Sequence, residues 1–301
     1  MLGEIPALPN VPPELVEKID EEKLCFFLGA GISKLIGCMG WKSVASNLVE
    51  RCFRQKCINY KVRESILKID NAKKTITICY DVLCKNGFKN DFFDEVEKAL
   101  TSKPDLLKRF NVYTELSGIS AVYITTNIDT HFDNSFRDRI VYRENDFKPE
   151  NIFRDKLYKI HGTIEDRDSL VFTLPQYFKR YKNPAFSAFL KKVFSEYSIV
   201  FLGYGLEEYE ILDFLVIKFG QEETELKHWM LLPYYQDEKY LLDYDNGYFN
   251  SLGIKVIGYE KDANGYNQLF NVIKEWRGEI REASGILYED VKDMEETVDM
   301  L

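Results

Sequence analysis

Short, unbroken apolar runs alternate along this chain with longer segments that have helical periodicity. A continuous apolar run is typical of a strand buried on both faces, which is the signature of a parallel sheet. The predicted strands lie at residues 23–28, 121–126, 157–160, 198–202, 229–232 and 254–257. Only the third of these alternates, so we expect one face of that strand to be partly solvated.

The segments between the strands place apolar residues at i, i+3, i+4 and i+7, which is the spacing of one helix face. This spacing predicts helices at 41–55, 62–69, 72–86, 90–100, 104–117, 185–196, 207–219 and 264–281. Strands that alternate with helices favour an α/β fold with a doubly wound, mainly parallel, Rossmann-like sheet. The gap between the first two strands is too long for one crossover helix, and it therefore predicts a helical insertion at about 41–118.

Composition and charge narrow the class of protein. The 301 residues are 45% hydrophobic and 14% aromatic, which fits a single folded domain over 1–282. After residue 282 the periodicity ends and acidic residues dominate, so 283–301 is interpreted as a tail or linker. A net charge of −9 argues against nucleic-acid binding. Neither a secretory signal nor a membrane-spanning run is recognisable, and we expect a cytoplasmic protein.

The six cysteines allow two interpretations. Two C-x4-C pairs, Cys52/Cys57 and Cys79/Cys84, could supply four zinc ligands, although structural zinc usually has tighter spacing within each pair. Buried free thiols in a reducing compartment are the preferred interpretation, and we expect no metal site.

A glycine-containing turn, Gly29-Ala30-Gly31-Ile32-Ser33, follows the first predicted strand. Glycines let a backbone approach a diphosphate closely, and N–H groups at a helix start attract negative charge. A tight strand-to-helix turn explains the same residues equally well. A third glycine at the Rossmann spacing and an acidic residue about 20 positions on are both missing, which disfavours a dehydrogenase.

Three more segments follow predicted strands, at the sheet edge where open α/β folds bind ligands. Thr126, Asn127 and Asp129 come after the second strand, His161 after the third, and the glycines of Gly203-Tyr204-Gly205 after the fourth. Each segment also has a purely structural interpretation: a helix N-cap for the first, a structural histidine for the second and a tight turn for the third.

The other two histidines are interpreted as structural. We expect His131 to lie on a helix that follows Asp129, and His228 to precede a strand.

The order of these motifs resembles that of sirtuins, and specifically the sirtuin-like domains of bacterial antiphage defence proteins. The four segments read GAGIS, TTNID, KIHG and FLGYG, and the resemblance runs from about residue 23 to about 220. Gln176 and Tyr177, after a predicted threonine-bearing strand at 171–173, also resemble that branch.

The resemblance implies a role for each matching residue. Asn127, Asp129 and His161 would be the catalytic group. The NAD-binding set would be Gly29, Ala30, Gly31, Ser33, Thr126, Gly203 and Gly205. Tyr204 departs from the small hydroxyl residue that deacylating sirtuins have at that position.

Two further departures separate the chain from protein deacylases. The stretch 34–41 replaces the Pro-Asp-Phe-Arg segment of those enzymes, and no cysteine follows Cys84, so the zinc module after the histidine is missing. The resemblance therefore implies an NAD+ hydrolase that releases nicotinamide and ADP-ribose and depletes NAD+ during phage infection. A deacylase and a catalytically silent NAD- or ADP-ribose-binding module remain the alternatives.

Such an activity must be restrained in a healthy cell. We expect control by homo-oligomerisation, by a partner such as an ATPase or sensor protein, or by a larger parent protein. Neither nucleic acid nor a membrane is an expected partner.

Overall fold

The computed structural model of the chain describes residues 4–205, 214–215 and 228–283. The predicted helix at 207–219 lies outside these residues except at 214–215. Of the predicted tail at 283–301, Ala283 is the last residue of a helix, and the rest lies outside the described residues. Along the described chain, no helix is both long enough and apolar enough to cross a bilayer.

Within the described ranges, the strands form one parallel sheet. They are β1 (Leu24–Leu28), β2 (Val122–Thr125), β3 (Ile140–Val141), β4 (Lys156–Lys159), β5 (Ser198–Leu202), β6 (His228–Tyr234) and β7 (Ile254–Glu260). Their order is β3-β4-β2-β1-β5-β6-β7, and every neighbouring pair is parallel. Helices and apolar clusters cover both faces. The predicted doubly wound, mainly parallel α/β fold is confirmed.

The described helices are α1 (Pro13–Asp20), α2 (Ala30–Leu35), α3 (Trp41–Arg54), α4 (Tyr60–Leu67), α5 (Ala72–Lys85), α6 (Lys89–Leu100), α7 (Pro104–Arg109), α8 (Val112–Leu116), α9 (Leu174–Lys182), α10 (Pro184–Glu196), α11 (Lys239–Asn250) and α12 (Gln268–Ala283). The single helix predicted at 104–117 is two, because the chain leaves helical geometry at Phe110 and Asn111. The strand predicted at 171–173 is wrong, because the N–H groups of Phe172 and Thr173 donate to the Gln176 side chain instead of a neighbouring strand.

The expected solvation of β4 is wrong. Leu157, Tyr158 and Lys159 are all buried, and Lys159 is only 1% exposed. The alternation of apolar and polar residues that suggested a solvated face comes from this lysine, whose ammonium pairs with Asp133 inside the protein. A buried ion pair thus imitates the sequence pattern of a solvated strand face.

The helices after β1 build a layer with its own apolar cluster. Side chains of α3, α5 and α6 meet there, and so do Ile128 and Phe172 from the loops after β2 and β4. The layer therefore rests on the carboxyl ends of the strands, where the polar motifs lie.

β1 is the strand at which the chain reverses its direction of growth across the sheet. β2, β4 and β3 lie on one side of it, and β5, β6 and β7 lie on the other. The carboxyl ends of β1 and β5 therefore form the topological switch point, where ligands of open α/β sheets bind.

Candidate functional site

Two glycine turns touch each other at the switch point. The N–H of Gly29 donates to the carbonyl of Leu202 at 2.9 Å, and the N–H of Gly31 donates to that of Gly203 at 2.8 Å. A Cβ on Gly31 would lie 2.6 Å from the Gly203 Cα, and a Cβ on Gly203, whose φ is +58°, would lie 2.6 Å from the Ile32 nitrogen. These glycines are required because the two backbones leave no room for a side chain.

Asn127, at the end of β2, is anchored to the β1 turn. Its Nδ2 donates to the Gly29 carbonyl at 2.9 Å and to the Ser33 hydroxyl at 3.0 Å. These contacts use both amide hydrogens, so they also fix which way the amide points. The Oδ1 of Asn127 is then the side-chain atom that can accept a hydrogen bond from a ligand or a water.

Ser33 links Asn127 to an acid and to a phenol. Its hydroxyl donates to Oδ2 of Asp129 at 2.6 Å, and the hydroxyl of Tyr113 lies 2.9 Å from it. Burial, and secondly the charge of Asp129, raise the pKa of Tyr113 well above its usual value. Tyr113 comes from α8, and the sequence analysis missed it because it lies far from the strand-end motifs.

Lys159 ties the loop after β2 to β4. Its ammonium donates to the Asp129 carbonyl at 2.7 Å and to both carboxylate oxygens of Asp133 at 2.8 and 2.9 Å. Burial raises the pKa of Asp133, while the charge of Lys159 opposes that rise. The segment that carries Asn127 and Asp129 is therefore held from both of its ends.

His161 lies beyond β4 in an aromatic environment. Its Nε2 is 2.9 Å from the Tyr181 hydroxyl, and its ring meets that of Tyr177 edge-on at 5.0 Å. Burial, followed by the charges of Lys73 and Arg180, lowers the pKa of His161 well below 6.5. The imidazole is therefore neutral at pH 7 and can accept a proton.

Tyr181 was missed by the sequence analysis, although a signal for it exists. Tyr177 and Tyr181 are four residues apart in α9, so they share one helix face. The resemblance had drawn attention only to the first of them.

A cavity of about 20 Å³ separates the polar residues from the helical layer, and that volume is room for about one water. Its lining includes Ser33, Asn127, Asp129, Trp41, Val44, Val96 and Leu100. The wall opposite the polar groups is thus made of apolar residues from α3 and α6. An open groove of about 460 Å³ beside α7, α8 and α12 contains none of the predicted site residues.

The remaining predicted residues occupy different surroundings. Thr126 is buried, and its N–H donates to the Leu28 carbonyl. Ala30 lines the cavity, whereas Gly205 is exposed at the end of a described range. Tyr204 packs in the core, 5.0 Å from the ring of Phe27.

The placement of His131 on a helix is wrong. Residues 130–132 form a turn, and Nε2 of His131 lies 2.9 Å from the carbonyl of Leu100 in α6. Asp129 accepts from the His131 N–H, which is the hydrogen bond of an Asx turn. His228 begins β6, and its Nδ1 accepts from the Ile199 N–H.

The cysteines form no recognisable metal site. Across residues 4–205, 214–215 and 228–283, no three side chains of the metal-ligating types come together. Cys52 and Cys79 are buried free thiols on two helices that pack together, and a hydrogen bond with Cys52, followed by burial, raises the pKa of Cys79.

Comparison with known proteins yields a domain match and two relatives. A family model described as a SIR2-like domain matches residues 121–257. Defense-associated sirtuin 2 of Bacillus subtilis is 28% identical over 211 residues, which cover 66% of this chain and 19% of that protein. NAD(+) hydrolase ThsA of Cytobacillus dafuensis is 24% identical over 204 residues, covering 65% of this chain and 38% of the relative. The chain thus matches well under half the length of either relative.

Proposed function

Residues 121–257 match a SIR2-like domain, and the chain is similar to a defence-associated sirtuin and to an NAD(+) hydrolase; from this premise we propose that it hydrolyses NAD+ to nicotinamide and ADP-ribose. The observation that carries the proposal is the anchored amide of Asn127. Both amide hydrogens donate to the turn after β1, and Asn127 lines a cavity with room for a water. His161, whose imidazole is neutral, comes just after β4, the strand that pairs with β2.

Hydrolysis at the nicotinamide ribose needs a positioned water and a group that takes its proton. Asn127 Oδ1 accepts a hydrogen bond from that water or from a ribose hydroxyl. His161 hydrogen-bonds the ribose and accepts a proton as the water attacks, which general-base catalysis makes worth about 10²–10⁴-fold in rate.

Asp129 is assigned to the carboxamide of the nicotinamide. Its carboxylate already accepts from Ser33 and from the His131 N–H. Two carboxylate oxygens offer about four acceptor positions, so it can still receive a carboxamide hydrogen.

The nucleotide end of NAD+ is assigned to the switch point. The residues proposed to line it are Gly29, Ala30, Gly31, Ser33, Thr126, Gly203 and Gly205. Because the N–H groups of Gly29 and Gly31 already donate to protein carbonyls, these two glycines act by letting the two turns pack against each other and so shape the nucleotide site.

The biological role proposed with this activity is depletion of NAD+ in phage-infected cells. The names of the two relatives, a defence-associated sirtuin and an NAD(+) hydrolase, support it. Control would come from homo-oligomerisation, from an ATPase or sensor partner, or from a larger parent protein. The two relatives do extend well beyond the matched segment.

The test is the fate of NAD+ incubated with the purified protein, followed by chromatography with mass detection. We expect nicotinamide and ADP-ribose from the wild type, and at least a ~100-fold lower rate from Asn127→Ala. The matched control is Asn59→Ala, which removes the N-cap of α4. It should cost about 1 kcal/mol of stability and leave turnover unchanged.

Three results would contradict the hydrolase. Equal rates for the wild type and Asn127→Ala would remove Asn127 from the mechanism. NAD+ that stays intact with partners and forced oligomers present, yet binds tightly, would indicate a silent binding module. Acyl-ADP-ribose formed from an acylated peptide would indicate a deacylase.

A further inference from the structure

Tyr113 lies outside the strand-end loops, yet its hydroxyl reaches the centre of the candidate site. It belongs to α8, 80 residues after Ser33, whose hydroxyl is 2.9 Å away. We propose that Tyr113 is a positioning residue, which acts through Ser33 to hold the Asn127 amide in its working orientation. This inference rests on the proposed function.

The valences of the Ser33 hydroxyl fix the direction of every bond in the network. The hydroxyl has one hydrogen and two acceptor positions. Its hydrogen goes to Oδ2 of Asp129, 2.6 Å away. Both other neighbours must therefore donate, Asn127 through Nδ2 at 3.0 Å and Tyr113 through its hydroxyl at 2.9 Å.

Tyr113 is suited to be a permanent donor. Its side chain is 3% exposed, and its ring packs against that of Phe132 with centroids 4.8 Å apart. The packing fixes the position of its hydroxyl independently of Asn127. Burial and the charge of Asp129 raise its pKa, so the phenol keeps its hydrogen throughout the neutral range.

The orientation of Asn127 depends on the acceptor that Ser33 presents. With the Tyr113 hydroxyl in place, the second acceptor position of Ser33 is the one left for the Asn127 Nδ2. Without that hydroxyl, Ser33 can turn its lone pairs away, and the bond from Asn127 Nδ2 to the Gly29 carbonyl is then the main one that holds the amide. An amide held at one point positions Oδ1 less precisely for the attacking water, so turnover falls while the nucleotide contacts remain.

The experiment compares Tyr113→Phe with Tyr123→Phe in NAD+ turnover. Tyr123 is a matched control because it lies in the same buried cluster and also packs on Phe132. Its hydroxyl donates instead to backbone carbonyls at the end of α8. We expect Tyr113→Phe to lower kcat about tenfold with KM nearly unchanged, and Tyr123→Phe to lower stability without changing kcat.

A double-mutant cycle separates positioning from general support of the fold. In the Ser33→Ala background, Tyr113→Phe should lower kcat much less than tenfold, because the hydrogen bond to Ser33 through which it acts is already lost. Melting temperatures of all variants verify that each is folded in the assay.

Each outcome decides the matter. A wild-type kcat in Tyr113→Phe, or a tenfold loss that persists in the Ser33→Ala background, overturns the inference and leaves the proposed function standing. A wild-type protein that never cleaves NAD+, with partners and forced oligomers included, overturns the proposed function and the inference together.

Discussion

The two halves of the candidate site are built by different physical means. The β2 half, made of Ser33, Tyr113, Asn127 and Asp129, is a connected network of short hydrogen bonds. The β4 half holds His161 between aromatic rings. Hydrogen bonds fix the direction of each donor in the first half, whereas exclusion of water sets the proton affinity in the second.

This difference suggests a division of labour within one site. In the proposed mechanism, Asn127 must point in one direction, and both of its amide hydrogens are committed. His161 must gain and lose a proton in that mechanism, and burial is the first cause of its lowered pKa. Lys159 joins the halves, because it leaves β4 two residues before His161 and binds the carbonyl of Asp129.

Removing Lys159 should have the largest effect, because it breaks the link between the halves. Lys159→Met leaves the carboxylate of Asp133 unpaired inside the protein, and we expect a loss of about 3 kcal/mol in the free energy of unfolding. Urea unfolding at pH 7 measures it. The control is Lys42→Met, because the Lys42–Asp70 pair is almost fully exposed and should matter little.

The comparison predicts partial rescue of that loss. Asp133→Asn in the Lys159→Met background removes the stranded charge and should recover part of the stability. If Lys159→Met unfolds at the same urea concentration as Lys42→Met, the link between the halves is not structural.

The second prediction tests the β4 half through the pH dependence of stability. The pKa of His161 is lower in the folded protein than the unfolded value near 6.5, so the folded state resists protonation. Its contribution to stability is full above pH 6.5 and is lost as the pH falls towards the folded pKa. The loss is at most about 1.4 kcal/mol per pH unit.

His161→Gln should remove that part of the pH dependence. Unfolding free energies measured at pH 7.5 and 5.5 should fall more steeply for the wild type than for the variant. Parallel curves would mean that His161 is protonated equally in the folded and unfolded states, contrary to its burial.

The smallest effect should come from Tyr181→Phe. The variant loses the hydroxyl bonded to His161 but keeps the ring that packs on Phe186. Because burial is the first cause of the lowered pKa, the pKa of His161 should stay well below 6.5, with about 1 kcal/mol of stability lost.

An NMR titration of the His161 ring tests this prediction directly. Lys73→Met, which removes the second cause, should raise the pKa of His161. If Tyr181→Phe instead restores an ordinary pKa, a hydrogen bond controls the β4 half as well, and the contrast between the halves disappears.

The central sheet could be predicted because strands that are buried on both faces have unbroken apolar sequences. The predicted bounds of β5 agree with the structure at both ends. Those of β1 and β2 differ from it by at most one residue at either end. β3 was missed because two residues carry no periodicity. α11 was missed because Phe249 is its only buried residue, so it has no apolar stripe.

The site was predictable where residues follow strands and unpredictable where helices complete it. Asn127, Asp129 and Ser33 meet because parallel strands bring their carboxyl ends to one edge. Tyr113 and Tyr181 reach the same edge from α8 and α9. The pattern of one sequence does not reveal which face of a helix will lie next to that edge. The role of Lys159 was hidden because a buried cation resembles a surface one.

The central position of β1 has a consequence for the order in which the molecule is made. On the ribosome, the helices of α3 to α6 can pack soon after they emerge, since their contacts are close in sequence. β1 must wait, because Leu24 pairs with Ser198 and Gly31 with Gly203. The nascent chain therefore cannot close its switch point until residue 203 has been synthesised, and a truncated translation product that stops earlier lacks the assembled site.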